Sequence, residues 1–228
     1  MATTFDVIFL GTAVDLDLLE GGTTAGNAGA IVGTTFGSSG DPLHENVHSW
    51  SPGSTGYSGG TYNWAYDTDN DTSNDTFSID GGGDQTVDAA VFYNATVTYA
   101  DGSTDTVLAH VVQDTSGNLY LAPHLTLDAN QLIMEAGAIE SITLDSVSDN
   151  DNVITADRNP PDYVEVTDGT SGDDTMTAGY TDADGDQIDG ADGNNDWIEA
   201  GAGADTVDGG RGDDTIFGGT GHDLLAGA

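Results

Sequence analysis

The sequence has no cysteine, only two basic residues and no long apolar run. The first absence rules out a disulfide framework, a thiolate metal site and a cysteine nucleophile. The second leaves Arg158 and Arg211 against 40 Asp and Glu, a formal net charge of −38. Such a chain cannot neutralise a phosphate backbone, which excludes nucleic acid and anionic membrane surfaces as partners. No stretch approaches the roughly 18 apolar residues of a membrane span. The opening residues, Met1 to Asp6, have neither the basic nor the apolar segment of a secretory signal. What is present is enough to fold: 36% of residues are hydrophobic, with three Trp, eight Tyr and six Phe. Repulsion among so many carboxylates opposes a compact state unless cations bind or salt screens it. The carboxylates must therefore be sorted by position.

Texture changes at residue 167. Before it, apolar runs recur between turn residues; after it, Gly and Asp alternate with single aliphatic residues, and 15 of the 40 acids fall in the last 61 positions. Two domains are expected, 1–167 and 168–228, with the boundary near Asn159-Pro160-Pro161-Asp162 and the run Tyr163–Val166 closing the first. The first domain reads as all-β. Strands are expected over Phe5–Leu10, Ala28–Thr35, Tyr62–Tyr66, Thr76–Ile79, Ala90–Tyr99, Thr104–Gln113, Leu119–Ala122 and Ile139–Val147. Val91, Tyr93, Ala95, Val97 and Tyr99 share one face of the clearest of these. Asp101-Gly102 and Ser116-Gly117-Asn118 supply the turns of a meander. Asp128 to Ala136 carries a capping residue and helix formers before Gly137, so one short helix is placed there. Short strands at this spacing suggest a β-sandwich of jelly-roll type.

The tail is periodic. Ala200 to Asp208, Gly209 to Phe217 and Gly218 to Ala226 are three consecutive nonamers, each with Asp at position six and an aliphatic residue two further on. Gly169 to Thr177 fits the same frame, and the register continues with insertions through Asp186-Gln187-Ile188 and Asp196-Trp197-Ile198. Gly pairs permit a tight turn that brings carbonyls close to an ion. Aspartate supplies a hard oxygen ligand suited to Ca²⁺. The pattern resembles the RTX repeat, GGxGxDxUx, of proteins secreted by type I systems. That resemblance implies a parallel β-roll in which each nonamer makes half a turn, so ligands on one side recur at every second nonamer. Asp196 then stacks with Asp214 and Asp205 with Asp223; with the insertions, Asp174 should meet Asp196 and Asp186 should meet Asp205. It implies several calcium ions between successive turns, held by Asp174, Asp186, Asp196, Asp205, Asp214 and Asp223 and by the Gly-rich turns that contain Gly203, Gly212 and Gly221. Met176, Ile188, Ile198, Val207, Ile216 and Leu225 would form the inner ladder. One aliphatic residue per nine cannot offset an ordering cost of about 1–2 kcal/mol per residue, so folding and metal binding should be one event.

Other acidic runs are candidates. Asp182-x-Asp184-x-Asp186-x-x-Asp189-x-x-Asp192 departs from the repeat and is similar in spacing to calcium loops of the thrombospondin type 3 kind. Asp67-x-Asp69-x-Asp71 opens like an EF-hand, but Thr72 and Ser78 stand where that loop needs Gly and Glu, leaving a calcium-stiffened loop or a polar turn. Asp149 and Asp151 are weaker candidates. Gly56-Tyr57-Ser58-Gly59-Gly60 lacks the flanking strand and helix of a nucleophile elbow. His44-Glu45-Asn46-Val47-His48 is read as one residue short of the zinc-peptidase spacing and set aside, His110 and His124 are read as structural, and no catalytic residue is assigned. Trp50, Tyr57, Tyr62, Trp64 and Tyr66 cluster beside the Asp67 run, as core packing or as rings on which sugars stack.

The chain as a whole is similar to the N-terminal portion of RTX and Hint-domain proteins of marine alphaproteobacteria, through phrases such as Tyr93-Asn-Ala-Thr-Val-Thr-Tyr-Ala-Asp-Gly102; no Hint segment is present. Type I export, an extracellular or cell-surface location and a non-enzymatic role follow as expectations. The first domain is then a binding or adhesion module, with carbohydrate or a cell-surface polymer as partner. A self-associating surface-layer or matrix subunit and a polysaccharide hydrolase are the alternatives.

Overall fold

A computed structural model of the chain describes residues 4–18, 23–55, 65, 66, 68, 75–155, 158, 161, 163, 166–183, 186–190 and 195–227. The chain divides into two compact units, Met1–Pro161 and Asp162–Ala228. The boundary lies earlier than 167 because Val166–Asp168 pairs with Trp197–Glu199 inside the second unit. No helix among the described residues is long and apolar enough to cross a membrane.

The first unit is antiparallel. Its strands are β1 (Phe5–Thr12), β2 (Thr35–Gly37), β3 (Val47–Pro52), β4 (Ala65–Tyr66), β5 (Thr76–Ile79), β6 (Gln85–Tyr99), β7 (Thr104–Asp114), β8 (Asn118–Ala122), β9 (Ile139–Asp149) and β10 (Ile154–Thr155), with helix α1 (Ala129–Met134). Pairing runs β6-β5-β3-β1-β8-β7 and returns from β7 to β6, so one sheet closes on itself. The all-β class holds. The ring follows chain order, a meander, instead of the crossing connections of a jelly roll. Long β6 makes the closure possible: Gln85 and Thr86 pair with β5, Val87 to Thr98 pair with β7, and Phe92 to Tyr99 pair with β9.

Alternation along β6 is kept where the sequence shows it. Tyr93, Ala95, Val97 and Tyr99 are buried, while Asn94 is exposed. Trp50 anchors the core, stacked on Phe77 with ring centroids 3.5 Å apart and packed against Phe5, Tyr66 and Tyr120. Strand β3 escapes a sequence reading because its polar residues hide one inward tryptophan. The strand expected over Ala28–Thr35 is instead a 3-10 turn, Ala28–Ile31, followed by the short β2; Gly33, at φ +82°, breaks the extended run. Of Tyr62–Tyr66, only Ala65–Tyr66 falls among the described residues, and it is a strand. Helix α1 forms where expected, with the Asp128 carboxylate accepting from the Asn130 and Gln131 amides.

The second unit is parallel. Its strands are β11 (Val166–Asp168), β12 (Thr175–Met176), β13 (Trp197–Glu199), β14 (Ala202–Gly203), β15 (Thr206–Asp208), β16 (Thr215–Phe217), β17 (Thr220–Gly221) and β18 (Leu224–Ala226). They form three small sheets, β11-β13-β16, β12-β15-β18 and β14-β17. Met176, Ile188, Ile198, Ala200 and Val207 make the buried ladder between them, with Tyr180 and Ile216 packed against it. The ladder runs out at Leu225, which is 45% exposed.

Candidate metal centre

Successive turns of the second unit stack in the repeat's own period. Trp197 pairs with Thr215 and Thr206 with Leu224, each two nonamers on. The first turn is longer: Thr175 pairs with Thr206 and Val166 with Trp197, more than three nonamers on. The surplus folds back as a hairpin in which Gly179 donates to the Ile188 carbonyl, Ile188 to Tyr180 and Asp182 to Asp186.

The Asp205, Asp214 and Asp223 carboxylates are each tied to the turn before. The Asp196 amide donates to Asp214 Oδ1 and the Asp205 amide to Asp223 Oδ1, both at 3.1 Å. These are the two pairs that the two-nonamer period requires. The other two pairs are corrected. Asp174 meets Asp205, its amide donating to Asp205 Oδ1 at 2.9 Å, and Asp186 donates to Asp182 Oδ1. The hairpin causes both shifts, because it lifts Asp186 out of the row and brings the next full turn under Asp174.

Glycine allows this closeness. Gly203 (φ +150°) and Gly221 (φ +143°) lie so near the turn before them that a Cβ would overlap the carbonyls of Gly172 and Gly203 respectively. Gly212 shares the left-handed backbone at φ +107°. The carbonyls of one turn therefore face the backbone of the next, with one carboxylate from each turn beside them.

The donors fit a calcium ion. Oδ2 of Asp205 and Oδ2 of Asp214 are buried with no hydrogen-bond partner, and Asp205 as a residue is 1% exposed. A buried carboxylate oxygen without a proton or cation beside it is costly. No group of three or more His, Asp or Glu among the described residues gathers as a side-chain metal site. An ion between turns would rest on backbone carbonyls and one carboxylate per turn, all hard oxygens.

The remaining candidates fall elsewhere. Asp182 accepts the amides of Asp168 and Asp186, so its carboxylate closes the hairpin. Asp184, Asp67, Asp69 and Asp71 lie outside the described residues, as do Gly56–Gly60, Tyr57, Tyr62 and Trp64. Asp151 takes the hydroxyls of Thr23 and Thr24 and donates its amide to Asp149. Trp50 and Tyr66 are core residues with no exposed ring to offer a sugar. Asp189, part of the irregular acidic run, lies outside the repeat frame. At φ +56°, its amide donates to Asp196 Oδ2 while its carboxylate accepts the Arg211 amide.

The segment His44-Glu45-Asn46-Val47-His48 needs a correction. Its order does match the His-Glu-x-x-His of zinc peptidases, which requires both imidazoles on one helical face. Here His44 sits in a 3-10 turn, Leu43–Glu45, and His48 in strand β3, where its Nδ1 lies 2.8 Å from Asp80. Burial pushes the His44 pKa down to about 4. His110, fully buried, is held well below its ordinary value by burial, then by Arg158, whose Nη2 lies 3.0 Å from its Nδ1, and by His124. Both imidazoles are neutral in the folded chain and titrate near 6.5 when unfolded. Their contribution to stability is complete above that value and is lost as pH falls below it. The urea midpoint of the first unit should therefore drop between pH 7 and pH 4.5, and His44→Asn should flatten part of that slope.

A parallel roll of nonamers, with glycine turns stacked at every second repeat and a carboxylate in each, defines a class of calcium-binding repeat. Residues 191–225 match the family model of the RTX calcium-binding nonapeptide repeat, in four copies. The second unit thus carries RTX-type repeats, and calcium is the ion such repeats bind. No curated protein and no solved structure matches the chain.

Proposed function

We propose that the chain is a secreted, calcium-folded binding protein, in which calcium closes the roll and the first unit meets the partner. The observation that carries the calcium part is the pair of buried carboxylate oxygens, on Asp205 and Asp214, without a hydrogen-bond partner. Asp196, Asp205, Asp214 and Asp223, with carbonyls of the turns containing Gly203, Gly212 and Gly221, would hold the ions. Bound calcium supplies the positive charge that stacked carboxylates need. The chain's own residues do the rest: glycines let the turns approach, and aspartate amides set their register. A fold that depends on calcium suits an environment richer in it than the cytosol, which supports an extracellular location.

For the first unit, the reading is adhesion to a hydroxylated polymer such as a carbohydrate. It is supported by a cavity of about 270 Å³ over β6, β7 and β9, lined by Asn94, Thr106, Leu108, Asn130 and Asp145. Amide, hydroxyl and carboxylate groups beside an apolar patch are what such ligands require. Titration calorimetry tests the calcium part: Asp205→Asn should weaken binding at least about tenfold. A glycan array in calcium tests the other; retention of signal in Asn130→Ala with Asp145→Ala would remove the cavity from the account.

A further inference from the structure

The four described turns of the repeat row are not built alike. At position two, Gly201, Gly210 and Gly219 have φ of +87°, +82° and +71°, and at position four Gly203, Gly212 and Gly221 are also left-handed. In the first turn, Gly169 to Asp174, position two is Thr170, and neither it nor Gly172 has positive φ. Side-chain bonds shape this turn instead. The Thr170 amide and hydroxyl both donate to Asp174 Oδ2, at 2.6 and 2.8 Å, and the Gly172 amide donates to the Thr170 hydroxyl at 3.1 Å. The oxygen that has no hydrogen-bond partner in Asp205 and Asp214 thus has two donors in Asp174.

The rest of that rung is also closed by protein groups. Asp182 accepts the Asp168 and Asp186 amides, the Tyr180 hydroxyl donates to the Asp168 carbonyl, and Gln187 Nε2 donates to the Thr181 hydroxyl. The hairpin between Gly179 and Ile188 adds its own backbone bonds. Met176 and Ile188 are both fully buried there and start the apolar ladder. Solenoids need atypical end repeats that shield the ladder and do not depend on a preceding neighbour.

We infer that residues 168–183 and 186–190 form a calcium-independent cap at the start of the roll, with Thr170 holding Asp174 in place of an ion. The cap presents a finished edge to the next turn: the Asp174 amide to Asp205 and the Asp174 carbonyl to the Thr206 amide. Calcium is then needed from Asp196 onward, and the roll is built outward from a seed that is already shaped. The Asp174 and Asp182 carboxylates accept backbone amides in this cap and Asp186 donates its own amide to Asp182, so the inference rests on the calcium reading of the later turns and narrows it.

Hydrogen exchange on the full chain, with and without EDTA, tests both. In EDTA, amides of 168–183 and 186–190 should stay protected while those of 201–208 and 219–226 exchange freely; calcium should protect all of these. Thr170→Val should reduce EDTA-state protection around Gly172 to Met176 about tenfold, the size of one net hydrogen bond. Thr170→Gly, which restores the repeat pattern, should make that turn calcium-dependent. If 168–183 and 186–190 exchange in EDTA as fast as 219–226, the cap is overturned and the calcium reading stands. If 201–226 are protected in EDTA as well, the calcium reading itself fails.

Discussion

Withdrawal of calcium should unfold the second unit beyond its first rung, from residue 195 onward, and leave the first unit standing. In calcium, calorimetry should resolve two transitions; in EDTA, only that of the closed antiparallel sheet should remain, and protease should cut first between residues 195 and 227. The reason is the size of the apolar ladder. Beyond the first rung it consists of Ile198, Ala200 and Val207, with Ile216 partly covered and Leu225 open. Burying a side chain of this kind contributes about 1.5–3 kcal/mol, whereas ordering each residue costs about 1–2 kcal/mol. Three or four such side chains cannot order some thirty residues that also carry Asp196, Asp205, Asp208, Asp213, Asp214 and Asp223. The missing stabilisation is the affinity for the ion, which in such a domain is folding free energy. The first unit has its own core around Trp50 and Phe77, and it should melt at the same temperature in both buffers.

Gly203→Ala should disable the roll, and Gly172→Ala should be tolerated, although both occupy position four of a repeat. Gly203 lies at φ +150°, a region other residues avoid at a cost of about 1–3 kcal/mol. Its new methyl would also overlap the Gly172 carbonyl, so the turns would have to separate. Together these should cost about 3 kcal/mol or more, enough to raise the calcium midpoint about a hundredfold. A Cβ on Gly172 meets nothing closer than the Thr170 hydroxyl at 3.7 Å, and its φ is not left-handed. Calcium titrations of the two variants, followed by circular dichroism, separate these outcomes. Equal effects would mean that the first turn is built like the others.

Much of this was legible in the residues, and what was not has physical causes. The two-nonamer period shows Asp196 over Asp214 and Asp205 over Asp223, because backbone pairing copies a strict repeat. Where the repeat is interrupted, counting fails: Asp174 meets Asp205 only because the surplus residues form a hairpin, and nothing local to Asp174 says so. Alternation exposes strands such as β6, whose inner face from Tyr93 to Tyr99 is apolar. It conceals β3, where a single Trp50 carries the burial, and it misleads at Ala28–Thr35, where small apolar residues precede a left-handed Gly33. The order of strands around the ring depends on contacts far apart in sequence, as in β1 with β8. For the histidines, composition suggests a motif that only the local backbone can refuse. For the negative charges among the described residues, position decides: a minority stack in the roll, several accept turn amides as Asp114 and Asp128 do, and Asp17, Asp75 and Asp88 are buried in the first unit.

The most direct test of the central claim is a far-ultraviolet circular dichroism titration of the full chain, from EDTA into calcium and, in parallel, into magnesium. The account requires a saturable gain of β signal with calcium, reversed by EDTA, and no comparable gain with magnesium, whose rigid octahedral demand the stacked turns do not meet. Spectra that coincide in EDTA and in saturating calcium would contradict it.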